Sequence, residues 1–398
     1  MTPACRTRYR SVSHRPESYV GREKLKCTQK ISNVAHIYFT VINDLTYDQR
    51  MQRICRTLAA NGFEVTLVGK KLKSSVPLDK EMYHQHRLSC LFTKGKIYYL
   101  EFNLRLLLFL LFRKMDAICA IDLDTIVPCF LIARLKKIKR IYDAHELFSE
   151  MKEVVTRPGV HRFWQGIEKK YIPLFPNGYT VSESIAKEFY KRYGVQYQVI
   201  RNMPVYSPYT AIDTFGFEEK RLIYQGAVNE ARGFEYLVPA ILQIPSRLYV
   251  YGEGNYLARL EQLIEKYKAG DKIFLFGKQS PDILRMMTPN HYIGINLVEP
   301  SGLNQYYSLA NKFFDYMHAG LPQITMKFPE YQYINDQYEI AVLIETPDTE
   351  SIVAAYRQLC DPEFYERLRK NCFRAREVYS WENEEKKLIE FYSKIMEQ

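Results

Sequence analysis

"VAHIYFTVINDLTYDQRMQRICRTLAANGFEVTLVG", residues 34–69, decides the fold class. Residues 34–42 are mostly apolar, aromatic or β-branched, as a strand buried on both faces requires. From residue 47 the period becomes helical, with Ile54, Leu58 and Ala59 on one face and Gly62 as the stop. Residues 63–69 return to a strand pattern. Strand, helix, strand in that order is the unit of a parallel sheet, because a crossover helix must carry the chain back to the start of the next strand.

The alternation continues outward. "AICAI" (117–121), "RIYDA" (140–144) and "NGYTVS" (177–182) are further strands with helices between them. A second series begins near residue 217 with "KRLIYQG" (220–226), a helix over 233–244, then "SRLYVYG" (246–252), "KIFLFG" (272–277) and "YIGINLV" (292–298). A helix over 309–319, "QITM" (323–326) and "AVLIE" (341–345) follow. "VIRNMPVYSPYTAIDTFG" (199–216), with two prolines and little periodicity, is the linker. The expected fold is α/β: a first doubly wound parallel-sheet domain over 31–203 and a second over 217–378, facing across a cleft. A charged amphipathic helix at 379–398 is expected to pack back on the first domain. Ligands of such folds sit beyond the C-terminal ends of the strands, here in the cleft.

The totals narrow the function. A chain of 398 residues, 47% hydrophobic, can bury more than one core, and 25% charged residues exclude disorder throughout. The net charge of +11 and pI near 9.0 imply an anionic partner, whether phosphate, an acidic membrane surface or nucleic acid. Residues 1–30 hold eight Lys/Arg against two acids, a flexible basic arm carrying +6 of that surplus. The cysteines form no CxxC pair, so neither a zinc site nor a disulfide frame is expected, and a reducing, cytoplasmic setting fits them. No segment reaches the ~20 apolar residues of a membrane span. "NLRLLLFLLFRK" (103–114) reads in two ways. It is an interfacial helix resting on anionic lipid at the inner face of the cytoplasmic membrane, or a buried helix with charged ends.

Several stretches carry chemistry. In "SLANKFFDYMHAGLPQI" (308–324), Ser308 can cap a helix whose first-turn amides, around Leu309, Ala310, Asn311 and Lys312, form a positive pole that seats phosphate. Asn311 and Asp315 share a face, and a carboxylate there can accept two hydrogen bonds from a ribose diol. The competing reading is an ordinary capped helix with a surface acid. "YQGAVNEARGF" (224–234) ends a strand and opens a helix. Gly226 and Gly233 admit a ligand close to the backbone, and Arg232 sets a permanent charge beside a diphosphate. His145, in "YDAHELFSEM" (142–151), follows a strand and can donate to a sugar hydroxyl or share a proton with one; otherwise it is a structural loop histidine. "DLD" (122–124) has the spacing of a divalent-metal ligand pair, but bare DxD recurs by chance, so it is read as a loop turn with a helix cap and no metal is expected. In "NDLTYDQR" (43–50), Asp48, Gln49 and Arg50 are expected to face the cleft as sugar or acceptor contacts. Tyr306 and Tyr307 either stack on a sugar or pack.

Taken together, "YDAHELF", "YTVSESIAKEFYKRYG", "YQGAVNEARGFEYL", "VYGEG" and "SLANKFFDYMHAGLP" resemble glycosyltransferase family 4, the retaining group 1 enzymes of the GT-B fold with two Rossmann-like domains. The resemblance spans roughly residues 34–395. It implies a nucleotide-diphosphate sugar of UDP or GDP type, held mainly by the second domain, and no cofactor or metal. His145 matches the family histidine at the donor sugar, Arg232 the basic residue on the diphosphate, and Asp315 the second acid of the E-x7-E motif at the ribose. His145 and Asp315 are thereby the expected catalytic pair. Three positions depart from the family pattern and bear on the sugar contacts. Tyr307 stands where the first acid belongs, Ala227 replaces the arginine after the first glycine, and "NDLTYDQR" replaces a glycine-rich loop.

The first reading is therefore a sugar transferase acting on a lipid-linked or polysaccharide acceptor in surface glycan assembly, with peripheral contact to an anionic membrane. A nucleotide-sugar epimerase of the same fold is the alternative enzyme. A non-catalytic basic nucleic-acid or membrane-surface binder is the alternative class. Because much of the charge lies in the arm and no recognition module appears, no nucleic-acid partner is expected.

Overall fold

The computed structural model describes residues 34–46, 48–93, 95–207 and 220–397. The basic arm and the second half of the linker lie outside the described residues. The first sheet contains β1 (His36–Thr40), β2 (Glu64–Lys71), β3 (His84–Ser89), β4 (Ala117–Ile121), β5 (Lys139–Ala144), β6 (Asn177–Thr180) and β7 (Gln198–Val199). The second contains β8 (Leu222–Gln225), β9 (Leu248–Tyr251), β10 (Ile273–Leu275), β11 (Ile293–Asn296), β12 (Gln323–Met326) and β13 (Ala341–Ile344). Their orders are β3-β2-β1-β4-β5-β6-β7 and β10-β9-β8-β11-β12-β13. All pairings are parallel. The strand order reverses between β1 and β4 and again between β8 and β11, and at such a reversal the outgoing loops part and leave a crevice.

Each strand of the first sheet feeds two cores because side chains alternate across the pleat. Ala117, Cys119 and Ile121 join Ile37 and Phe39 on one face. Ile118 and Ala120 join the opposite face. On the first face lies α1 (Gln49–Ala60) with the C-terminal helix Trp381–Glu397, whose Trp381, Leu388 and Tyr392 complete that core. Trp381 Nε1 also donates to Thr57 Oγ1 at 2.9 Å. The other face carries α2 (Gly95–Leu111) and α3 (Ile126–Lys136). The second sheet has its own large core, from Leu222 to Tyr379.

Local departures have local causes. β3 has no apolar run because it is an edge strand with mostly half-exposed side chains. The start of the linker, Gln198–Val199, is a two-residue strand closing the first sheet. "DLD" forms a short 3-10 turn (Leu123–Thr125), but neither Asp122 nor Thr125 caps a helix through its side chain. Asp122 instead turns back, at φ 52°, toward β5.

Candidate active site

The cleft between the two sheets encloses about 1340 Å³. That exceeds the ~300–1,000 Å³ of a pocket for one small ligand and leaves room for two substrates. His145, Gly226, Arg232, Lys312 and Asp315 all line it, so residues from both domains meet there.

The second-domain wall begins where β8 ends. Gly226 adopts φ 115° and Gly233 φ 69°, backbone that side chains resist, and these two residues bracket a tight turn into the helix Phe234–Leu242. Lys312 reaches over this turn. A Cβ at Gly226 would lie 3.8 Å from its Nζ. The Lys312 side chain is buried, and Nζ sits 3.5 Å from the centre of the Tyr224 ring. Burial, then the Arg232 charge, push its pKa well below the usual lysine value, against the pull of Asp315. With Ala227 after the first glycine, Arg232 is the cation the turn itself carries, and Lys312 reaches it from the neighbouring helix.

Asp315 faces the same space. Its Oδ2 accepts from Gln225 Nε2 at 2.8 Å, and Gln225 Oε1 in turn accepts from Thr288 Oγ1 at 2.7 Å. Burial raises the Asp315 pKa to about 6, opposed by the Gln225 bond and by Arg53, Arg285 and Lys312. The chain Thr288–Gln225–Asp315 fixes the carboxylate's direction. Neither Gln225 nor Thr288 was anticipated, since a strand-end glutamine and a turn threonine carry no motif.

The helix itself begins later than expected. It spans Asn311–His318 with Ala310 as N-cap and no side-chain cap. Ser308 does not cap it, because its Oγ donates to Gln305 O at 2.7 Å within the preceding turn. The Ala310 amide is taken by Tyr331 Oη at 3.0 Å, and the Leu309 side chain belongs to the second core. The Phe313 amide donates to Ala310 O at 3.0 Å, so the first-turn amides left for a ligand are those of Asn311 and Lys312. The Asn311 side chain is occupied by the linker, accepting from Asn202 Nδ2 at 2.8 Å.

On the opposite wall, His145 follows β5. Its backbone N–H donates to Asp122 Oδ1 at 2.8 Å. Its ring Nε2 lies 3.1 Å from Asp143 Oδ2 and Nδ1 lies 3.8 Å from Asp122 Oδ2. Burial alone would lower its pKa, but Asp143 and then Asp122 outweigh it and lift the imidazole to about 9. Asp122 itself is pushed up to about 7 and Asp124 to about 8, both chiefly by burial. Among the described residues, no three His, Cys, Asp or Glu side chains converge as metal ligands would.

Asp48 and Arg50 line the cleft as expected, while Tyr307 does not, and all three have partners within the fold. Asp48 caps α1, accepting from Met51 N at 3.1 Å, and also accepts from Asn43 Nδ2 at 3.1 Å. Arg50 is buried and turned inward: Nη2 pairs with Asp143 Oδ1 at 2.9 Å and Nη1 donates to Ile200 O at 3.0 Å. Tyr307 packs against the first domain's core, not in the cleft, and its carbonyl accepts from Ser182 Oγ at 3.3 Å. Across the cleft, Asn304 bridges the domains. Its Oδ1 accepts from Leu147 N and its Nδ2 donates to Glu146 Oε2, both at 2.9 Å.

The site can therefore bind a diphosphate on the Arg232 guanidinium, the Lys312 amine and helix amides, hold a diol on a buried carboxylate, and face both with an imidazolium. Comparisons with known proteins agree with this architecture. The family model described as Glycosyltransferase Family 4 matches residues 49–203, and that described as Glycosyl transferases group 1 matches residues 213–375. No curated protein matches the chain. Among solved structures, sucrose-phosphate synthase from Thermosynechococcus elongatus superposes with a TM-score of 0.72 at 16% identity, covering 91% of this chain and 99% of that one. Anabaena Alr3699/HepE, in complex with UDP and glucose, gives 0.69 at 12% identity over 90% and 99%. WaaG, a glycosyltransferase involved in lipopolysaccharide biosynthesis, gives 0.66 at 14% identity over 88% and 98%. These likenesses show the shared two-domain GT-B fold. With one family model on each domain, the chain belongs to glycosyltransferase family 4, the group 1 enzymes that retain anomeric configuration and use nucleotide-sugar donors.

Proposed function

We propose that the protein transfers a sugar from a UDP- or GDP-type donor to a lipid-linked or polysaccharide acceptor in surface glycan assembly, as a cytoplasmic enzyme in peripheral contact with an anionic membrane. The observation that carries the donor side is the placement of Lys312 over Gly226, with Arg232 in the same turn and Asp315 one helical turn away. Arg232, Lys312 and the amides of the 311–318 helix take the diphosphate, and Asp315 accepts from the ribose hydroxyls. As the bond from the sugar's anomeric carbon to the diphosphate breaks, negative charge grows on the departing oxygen, where the cations already stand. The acceptor hydroxyl oxygen bonds to the same face of that carbon, and its proton leaves with the diphosphate. His145 faces the donor sugar as a fixed positive charge. The acceptor enters past α1, where Gln49 and Arg53 line the first-domain wall. Support for the acceptor class comes from WaaG, which works in lipopolysaccharide biosynthesis and shares the fold.

A thermal-shift screen of the wild type and Asp315→Ala against UDP, GDP, ADP, CMP and their sugars tests the reading. A nucleotide at about a hundred times its dissociation constant should stabilise the fold by ~2.7 kcal/mol. A shift with one nucleotide, lost in the variant, supports the seat. Absence of any shift sinks it.

A further inference from the structure

α2 is apolar on two sides. One side is used: Tyr98, Phe102, Leu106 and Leu110, four residues apart, are buried in the first domain's core. The other side holds a second row at the same spacing that touches no core. Leu100 is 71% exposed, Leu104 55%, Leu108 51%, and Phe112, just past the helix, 82%. α3 extends the row with Leu131 and Leu135, 43% and 65% exposed. The two helices are tied at their C-terminal ends, where Lys136 Nζ donates to Leu111 O at 2.9 Å and Arg113 O at 2.8 Å. A surface helix that has already filled its core normally turns charge outward. Isolated exposed leucines need no explanation, but a row of four apolar side chains at one spacing, with two more on the adjoining helix, marks a contact surface.

The charges around the ridge identify the partner. Arg113 and Lys114 at the exit of α2, with Arg134 and Lys137 at the end of α3, are exposed. The acids nearby are engaged within the fold. Glu101 accepts from the amides of Leu91 and Phe92 and from Arg105 Nε, and Asp116 accepts from His36 N. The ridge is therefore apolar with a cationic rim. No helix of the described residues is long and apolar enough to cross a membrane, so contact of this surface with a bilayer would be interfacial.

We propose that the α2–α3 ridge seats this protein on an anionic lipid bilayer, with the leucine row in the boundary between headgroups and acyl chains and the rim cations on lipid phosphates. This deepens the reading of a membrane-borne acceptor and rests on it only for purpose: the ridge and the donor cleft use different residues.

The test is flotation of the full chain with vesicles of phosphatidylcholine, with and without phosphatidylglycerol. The wild type is expected to float with the anionic vesicles and to be released by salt, because the rim term is screened. Leu104→Gln with Leu108→Gln should weaken that binding by about a hundredfold, given roughly tenfold for each large apolar side chain kept in water. Melting temperature and nucleotide shift should stay as in the wild type. Three results would overturn the proposal: a wild type that ignores anionic vesicles, a double variant that floats equally well, or a wild-type dimer in sedimentation that the double variant converts to monomer, which would give the ridge to a second copy. Nucleotide shifts on the same samples separate the two readings. Protein that binds nucleotide but not vesicles loses only the ridge, and protein that binds vesicles but no nucleotide loses only the donor seat.

Discussion

The imidazole Nε2 of His145 stands 3.1 Å from Oδ2 of Asp143, a carboxylate with no exposed surface. Asp143 is held from its other oxygen by Arg50, which also bonds the carbonyl of Ile200 at the chain's exit from the first sheet. The histidine at the cleft thus rests on a buried ion pair tied to the path between the domains.

His145 should stay protonated well above the ordinary histidine value of 6.5, to about 9. The sign follows from linkage: its contribution to stability is complete below 6.5 and is lost as pH rises through about 9. Magnetic resonance titration of labelled imidazoles checks this. Asp143→Asn should bring the His145 midpoint down, whereas a wild-type midpoint near the ordinary value would remove the fixed-charge role.

Arg50 and Asp143 are 4% and 0% exposed, and breaking a buried pair strands a charge in a medium that solvates it poorly. Arg50→Ala should therefore cost about 3–5 kcal/mol in urea denaturation. A loss no larger than that of a surface arginine would show that water reaches the pair.

Lys312→Met should separate stability from function. The lysine is buried with an aromatic face and no carboxylate within ion-pair distance, so the thioether is the better-packed occupant of an empty site. The melting point should rise while nucleotide affinity falls by about tenfold to a hundredfold, the loss of a charge-assisted bond. Unchanged affinity in calorimetry would move the diphosphate away from Gly226.

Donor affinity should be full above about 6 and decline below it, because Asp315 takes up a proton there and loses an acceptor for the diol. The same raised value means that the empty fold gives up stability as pH climbs from 3.8 to about 6, so Asp315→Asn should melt higher than the wild type without ligand. Calorimetric titration of nucleotide across that range, with the variant losing both the affinity and its pH dependence, is the check. A flat wild-type profile would contradict the ribose role.

Much of the architecture was legible along the chain because strand and helix periods are local properties. Apolar runs such as 117–121 and 323–326 coincide with strands residue for residue. β3 escaped because its sequence, HQHRLS, is polar and its side chains are mostly half-exposed, so no apolar run marks it. The site was legible in part. Gly226, Arg232, His145, Lys312 and Asp315 lie together because each follows a strand end or opens a helix at the switch points. Asp48 and Arg50 line the cleft and Tyr307 packs, but the bonds these residues and Ser308 make were not legible, because what a polar side chain bonds depends on which partner folding brings near. Arg50 meets Asp143 across 93 residues, Tyr307 is drawn to the first domain, and Ser308 bonds its own turn before the helix begins. The sequence by itself determined the two sheets, the glycine turn and which residues line the cleft from the second domain. Only the tertiary structure decided that Gln225 aims Asp315, that Asp143 holds His145, and that one face of α2 remains outside. Burial and long-range pairing set those outcomes, and no window of neighbouring residues encodes them.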